Sequence, residues 1–107
     1  MTNPSKKRGT AAETAVVNYL RFRGHMAERR NMQGGGNDKG DLVIHGRPDL
    51  VIEVKNHARI DLATFTDELL VEMRNAGATG GILVVKRKGK SNPADWYWLC
   101  VGDARPL

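Results

Sequence analysis

The chain carries a single cysteine, Cys100, among its 107 residues. That excludes an internal disulfide and leaves a cysteine-rich zinc site without support. No apolar run approaches the roughly 18 residues that cross a bilayer, so no membrane association is expected. The first ten residues are basic but no apolar stretch follows them, so they read as no secretory leader, and a cytoplasmic location is expected. Two nucleotide-binding signatures are also missing. Gly89-Lys90-Ser91 imitates the end of a phosphate-binding loop, but Val84 stands where its first glycine belongs. Gly34, Gly35 and Gly36 lack the strand–turn–helix setting of a dinucleotide site. The histidines His25, His45 and His57 show no ligand spacing and read as surface or hairpin residues. Repeats are absent, and no composition break marks a second domain.

Positive charge is what the chain has in excess. Seventeen Lys and Arg stand against twelve Asp and Glu, a net charge of +5. The basic residues cluster at Lys6-Lys7-Arg8, at Arg21, Arg23, Arg29 and Arg30, and at Lys86-Arg87-Lys88 with Lys90. Clusters of this kind suit a phosphate backbone, although a merely solvated basic face would look the same.

Periodicity predicts the order α-β-β-β-α-β-β. Residues 1–9 read as a flexible basic arm, and residues 10–107 as one domain. Thr10-x-x-Glu13 has the form of a capping box opening a helix over 10–23, with Val16, Val17 and Leu20 on one stripe. Strands are expected at 25–31, 41–44 and 49–56, with a glycine-rich loop at 33–40 and a turn at Gly46-Arg47-Pro48. A second helix spans 62–76, where Leu62, Phe65, Leu69, Met73 and Ala76 recur at helical spacing and Gly77 suits the C-terminal cap. Strands at 81–86 and 96–101 complete the chain.

Glu53-Val54-Lys55 places an acid and a base two apart in an apolar strand, hence on one face beside the core. Charges there are costly unless paired or employed. Asp49 lies four strand residues from Glu53, roughly 13 Å away, too far to share a small cation. Asp41 fits better. A three-residue turn at 46–48 sets His45 opposite Asp49 and Asp41 opposite Glu53, whereas a two-residue turn would send Asp41 to the other face. Opposed carboxylates repel unless a cation lies between them, and oxygen ligands suit Mg²⁺ or Mn²⁺. Lys55 could then orient a water and stabilise charge developing at phosphorus. A plain salt bridge among Asp41, Glu53 and Lys55 remains the competing reading.

Asp41…Glu53-Val54-Lys55, following a helix that carries Glu13, resembles the PD-(D/E)XK nuclease superfamily. Lys7-Arg8-Gly9-x-x-x-Glu13 resembles the opening of archaeal-type Holliday junction resolvases, and the likeness covers most of residues 7–86. It implies an α/β fold with a restriction-endonuclease-like core, a central mixed β-sheet flanked by helices. It also implies a nuclease site made of Glu13, Asp41, Glu53 and Lys55, with Glu13, Asp41 and Glu53 holding Mg²⁺, which Mn²⁺ could replace. Glu13 has a competing role in the capping box, while its stripe aims it towards the sheet. The loop serine frequent in that family is missing from Gly34-Gly35-Gly36-Asn37-Asp38-Lys39-Gly40, where Asp38 is a reserve ligand.

The expected partner is DNA, through Lys7, Arg8, Arg29, Arg30, Lys39, Asn56, Lys86, Arg87, Lys88 and Lys90. Trp96, Tyr97 and Trp98 could stack on bases, but alternation sends at least one of them into the core. The reading is a Mg²⁺-dependent endodeoxyribonuclease acting on four-way junctions as a homodimer, with matched sites for two symmetric cuts. The rivals are a nuclease of the same fold on other branched, nicked or single-stranded DNA, and a non-catalytic DNA-binding protein.

Overall fold

A computed structural model describes residues 4–30 and 38–107. Two helices pack on a five-stranded mixed sheet, an α/β arrangement. In chain order the elements are α1 (Pro4–Phe22), β1 (Ala27–Arg29), β2 (Leu42–Ile44), β3 (Leu50–Lys55), α2 (Leu62–Ala76), β4 (Gly80–Val85), a 3₁₀ turn (Pro93–Asp95) and β5 (Tyr97–Gly102). Spatial order follows chain order, β1-β2-β3-β4-β5. The β3–β4 pair, joined through α2, is parallel and the other pairs are antiparallel. No helix among the described residues is long and apolar enough to cross a membrane.

Alternation along β3 divides the core. Leu50, Ile52 and Val54 meet Ala12, Val16, Val17 and Leu20 of α1, together with Leu42, Ile44, Ile82 and Val84. Val51 faces the opposite way, onto Phe65, Leu69 and Met73 of α2 with Leu83 and Val85. Glu53 and Lys55 share the parity of Val51, so the sheet points both at α2. The helix is fixed at each end. Asp61 accepts a hydrogen bond from Thr64 N–H at 3.1 Å, and Gly77 closes the other end at φ +66°.

The start of α1 corrects the sequence reading. The helix begins at Pro4, so residues 4–9 are helical rather than a flexible arm, and Thr10 lies inside the helix with no capping box. Proline suits a first helical turn, and the Lys-Lys-Arg run that follows has good helix propensity, which outweighs Gly9. β1 is three residues long, not seven. Residues 31–37, including the expected end of that strand and most of the glycine-rich loop, lie outside the described residues.

Candidate active site

The register is the one that a turn at 46–48 predicts. Leu42 pairs with Ile52, so one step further Asp41 stands opposite Glu53. Asp41 N–H donates to Ile52 O at 3.0 Å, and its Oδ2 accepts Val54 N–H at 2.8 Å, locking the carboxylate across the strands. Asp49 belongs elsewhere. Its carboxylate takes both Nε and Nη2 of Arg47 at 3.1 Å on the exposed turn.

Glu53 is buried, only 5% exposed. Its Oε2 lies 3.6 Å from Lys55 Nζ, whose shorter bond goes to Glu68 Oε2 on α2. A further acid that the sequence reading missed, Glu72 of α2, is 3% exposed beside Glu53. Asp38, exposed and just ahead of Asp41, joins them: one oxygen from each of Asp38, Glu53 and Glu72 lies within 4.8 Å of the others. Glu53 Oε1 and Glu72 Oε2 are buried with no hydrogen-bond partner.

Crowding shapes the protonation of this cluster. Burial, then the neighbouring Glu53, pushes Asp41 up to about 8. Glu53 rises to about 8, chiefly by burial and then through Glu72, with the hydrogen bond to Asp41 working against the shift. Burial and the charges of Asp38 and Asp41 lift Glu72 to about 7, against a lowering hydrogen bond to Glu53. All three shifts run upward, because burial and mutual crowding disfavour the charged forms. Burial works to lower Lys55, but the Glu68 hydrogen bond and the Glu53 charge outweigh it and its pKa is raised. Lys55 is therefore a fixed cation and not a base.

Glu13 approaches from α1, on the sheet's other face. Its Oε1 pairs with Arg29 Nε at 3.1 Å, and its side chain is 18% exposed. Burial, then the charge of Asp41, raises its pKa against the lowering effect of Arg29. Glu13 is thus turned towards the sheet and is an electrostatic neighbour of the Asp41 cluster.

The basic candidates divide into separate surfaces. Arg8, Asn56, Lys86 and Lys88 line one groove of about 370 Å³ with His57 and Gly89, next to the end of β3. Arg30 and Lys39 line another with Arg47. Arg29 is engaged by Glu13, and Lys7 is exposed on α1. Arg87 Nη1 donates to Asp95 O at 3.0 Å and its guanidinium lies over Tyr97, while Lys86 lies over Trp96. Lys90 is exposed, and its carbonyl accepts the Trp96 indole N–H. Of the three aromatics in sequence, Trp96 is core, Trp98 is partly buried against Tyr19, and Tyr97 is exposed.

Glu72 could have been found. It follows Leu69 by three and Phe65 by seven, which places it on the buried stripe of α2. Glu68 carried no such signal, because it is exposed and matters only through Lys55. Comparison with known proteins gives no match to any family model, curated protein or solved structure.

Proposed function

We propose that the chain is a metal-dependent endodeoxyribonuclease of the PD-(D/E)XK type, with a restriction-endonuclease-like fold and four-way DNA junctions as substrate. The observation that carries this reading is the opposition of Asp41 and Glu53 across β2 and β3, with Lys55 on the same face. The donors suit a hard divalent cation: they are all carboxylate oxygens, and Asp41 faces Glu53 across β2 and β3. Asp41 and Glu53 would hold Mg²⁺, with Mn²⁺ as a substitute, and Glu13 would join them only by giving up its pairing with Arg29. Bound there, the ion would lower the pKa of a water and offset phosphate charge.

The remaining roles fall to the chain's own groups. Val54 N–H fixes the Asp41 carboxylate. Lys55, kept cationic by Glu53 and Glu68, orients the attacking water and stabilises charge on the phosphate oxygens. Hydrolysis adds the water oxygen to phosphorus, and the displaced sugar oxygen takes up a proton. The groove of Arg8, Asn56, Lys86 and Lys88 adjoins Lys55 and would receive the backbone on either side of the cut. A junction calls for two related cuts, and a two-fold dimer supplies two sites. The apolar surface of Ile60, Leu62, Tyr97 and Leu99 is a candidate for that contact.

The test is cleavage of junction, flap, duplex and single-stranded DNA with Mg²⁺ or with chelator. Mg²⁺-dependent paired nicks confined to the junction are expected. Tight junction binding without cleavage in either Mg²⁺ or Mn²⁺ would point to the non-catalytic reading.

A further inference from the structure

We infer that Asp38, Glu53 and Glu72 form a second divalent-cation site, on the α2 side of Glu53, so that Glu53 serves two ions. The inference deepens the nuclease reading and rests on it for the role of the first ion. Its basis is the pair of buried acceptors. Glu53 and Glu72 are 5% and 3% exposed, and Glu53 Oε1 and Glu72 Oε2 lack any hydrogen-bond partner. Lys55 does not fill the gap, since it contacts Glu53 through Oε2 and gives its shorter bond to Glu68.

Glu72 Oε2 is directed at the segment before β2. It lies 3.6 Å from where a β-carbon on Gly40 would sit. Asp38 is held in that segment at two points: its Oδ1 accepts Gly40 N–H at 2.9 Å, and its carbonyl accepts Asn75 Nδ2 at 2.7 Å. One oxygen from each of the three carboxyls falls within 4.8 Å of the others, about the span across a cation with bonds near 2.4 Å. All the donors are hard oxygens, which selects Mg²⁺, Mn²⁺ or Ca²⁺ over softer metals. One carboxylate serving two ions is a natural arrangement for a two-metal phosphodiesterase, where the ions lie about 3.5–4 Å apart.

Counting ions tests this without reference to cleavage. Mn²⁺ is titrated into the full chain, with calorimetry for stoichiometry and electron paramagnetic resonance for free Mn²⁺. Wild type should bind two ions per chain. Glu72→Gln should bind one, and so should Asp38→Asn, whose exposed side chain can change without threatening the fold. Asp41→Asn should retain the ion held by Asp38, Glu53 and Glu72. Wild type binding a single ion that survives both Glu72→Gln and Asp38→Asn would overturn the inference and leave the one-ion nuclease reading standing. Two ions counted, with no DNA cleaved, would uphold the site and refute the nuclease instead.

Discussion

Replacing Asp41 with Asn should stabilise the metal-free protein, and the gain should grow with pH. Asn keeps the shape and can still accept Val54 N–H, so the change removes a negative charge that is disfavoured first by burial and then by Glu53 opposite. Opposed residues have Cβ atoms about 5 Å apart, and at an effective dielectric near 20 two such charges repel by roughly 3 kcal/mol. Residual exposure of Asp41 reduces this to about 1–3 kcal/mol. For a domain of this size that corresponds to roughly 5–15 °C in Tm. The pH dependence follows from the protons bound. Asp41 and Glu53 titrate at about 8 when folded, against ordinary values of 3.8 and 4.5. The folded chain therefore holds more protons than the unfolded chain across that interval, and wild-type stability falls as pH rises from about 4 to 8. Thermal unfolding in chelator from pH 4 to 8.5 measures both curves. Asp41→Asn should melt well above wild type at pH 8 and close to it near pH 4. Excess Mg²⁺ should raise wild type more than the variant. A variant that melts at or below wild type at pH 8 in chelator would refute the reasoning.

Glu53→Gln should abolish Mg²⁺-dependent cleavage while leaving junction binding intact, and Asp49→Asn should cleave like the parent, because Asp49 pairs with Arg47 on the turn. An inactive Asp49 variant beside an active Asp41→Asn would put Asp49, and not Asp41, in the catalytic site. Replacing Lys86, Arg87, Lys88 and Lys90 together with alanine should weaken binding and flatten its salt dependence by about one logarithmic unit per lost phosphate contact. Unchanged slopes would remove that cluster from the interface. Gly40→Ala should destabilise by about 1–3 kcal/mol in urea titrations, because a β-carbon would stand 2.5 Å from Val51 Cγ1 at φ +96°.

The pairing of Asp41 with Glu53 was legible in sequence because it rests on counting. Strand parity and the length of one turn fix which residues face each other. α2 was legible over its whole span, because Phe65, Leu69 and Met73 repeat at helical spacing between Asp61 and Gly77. Glu72 was legible in the same way, since its spacing from Phe65 and Leu69 puts it on the buried stripe, although a stripe traced only through apolar residues passes over it. Which acid it is buried against depends on the packing of α2 on β3, and that no spacing shows. The start of α1 was obscured by Thr10 and Glu13, whose spacing imitates a cap; Glu13 instead pairs with Arg29, sixteen residues away. Local pattern cannot reveal a partner so distant.

Trp96 and Trp98 are the only tryptophans in the chain. Both indole N–H groups are tied to carbonyls of the basic turn and the 3₁₀ segment, and Lys86 sits 5.8 Å from the Trp96 ring centre. The chain's natural fluorescence therefore originates beside the basic groove and away from the carboxylates. A polyanion that draws Lys86 off the ring changes the field at the indole, whereas a cation entering among Asp41, Glu53 and Glu72 leaves it largely unaltered. Emission colour and intensity thus give an unlabelled optical reading of occupancy on the basic face, separable from metal loading in the same cuvette.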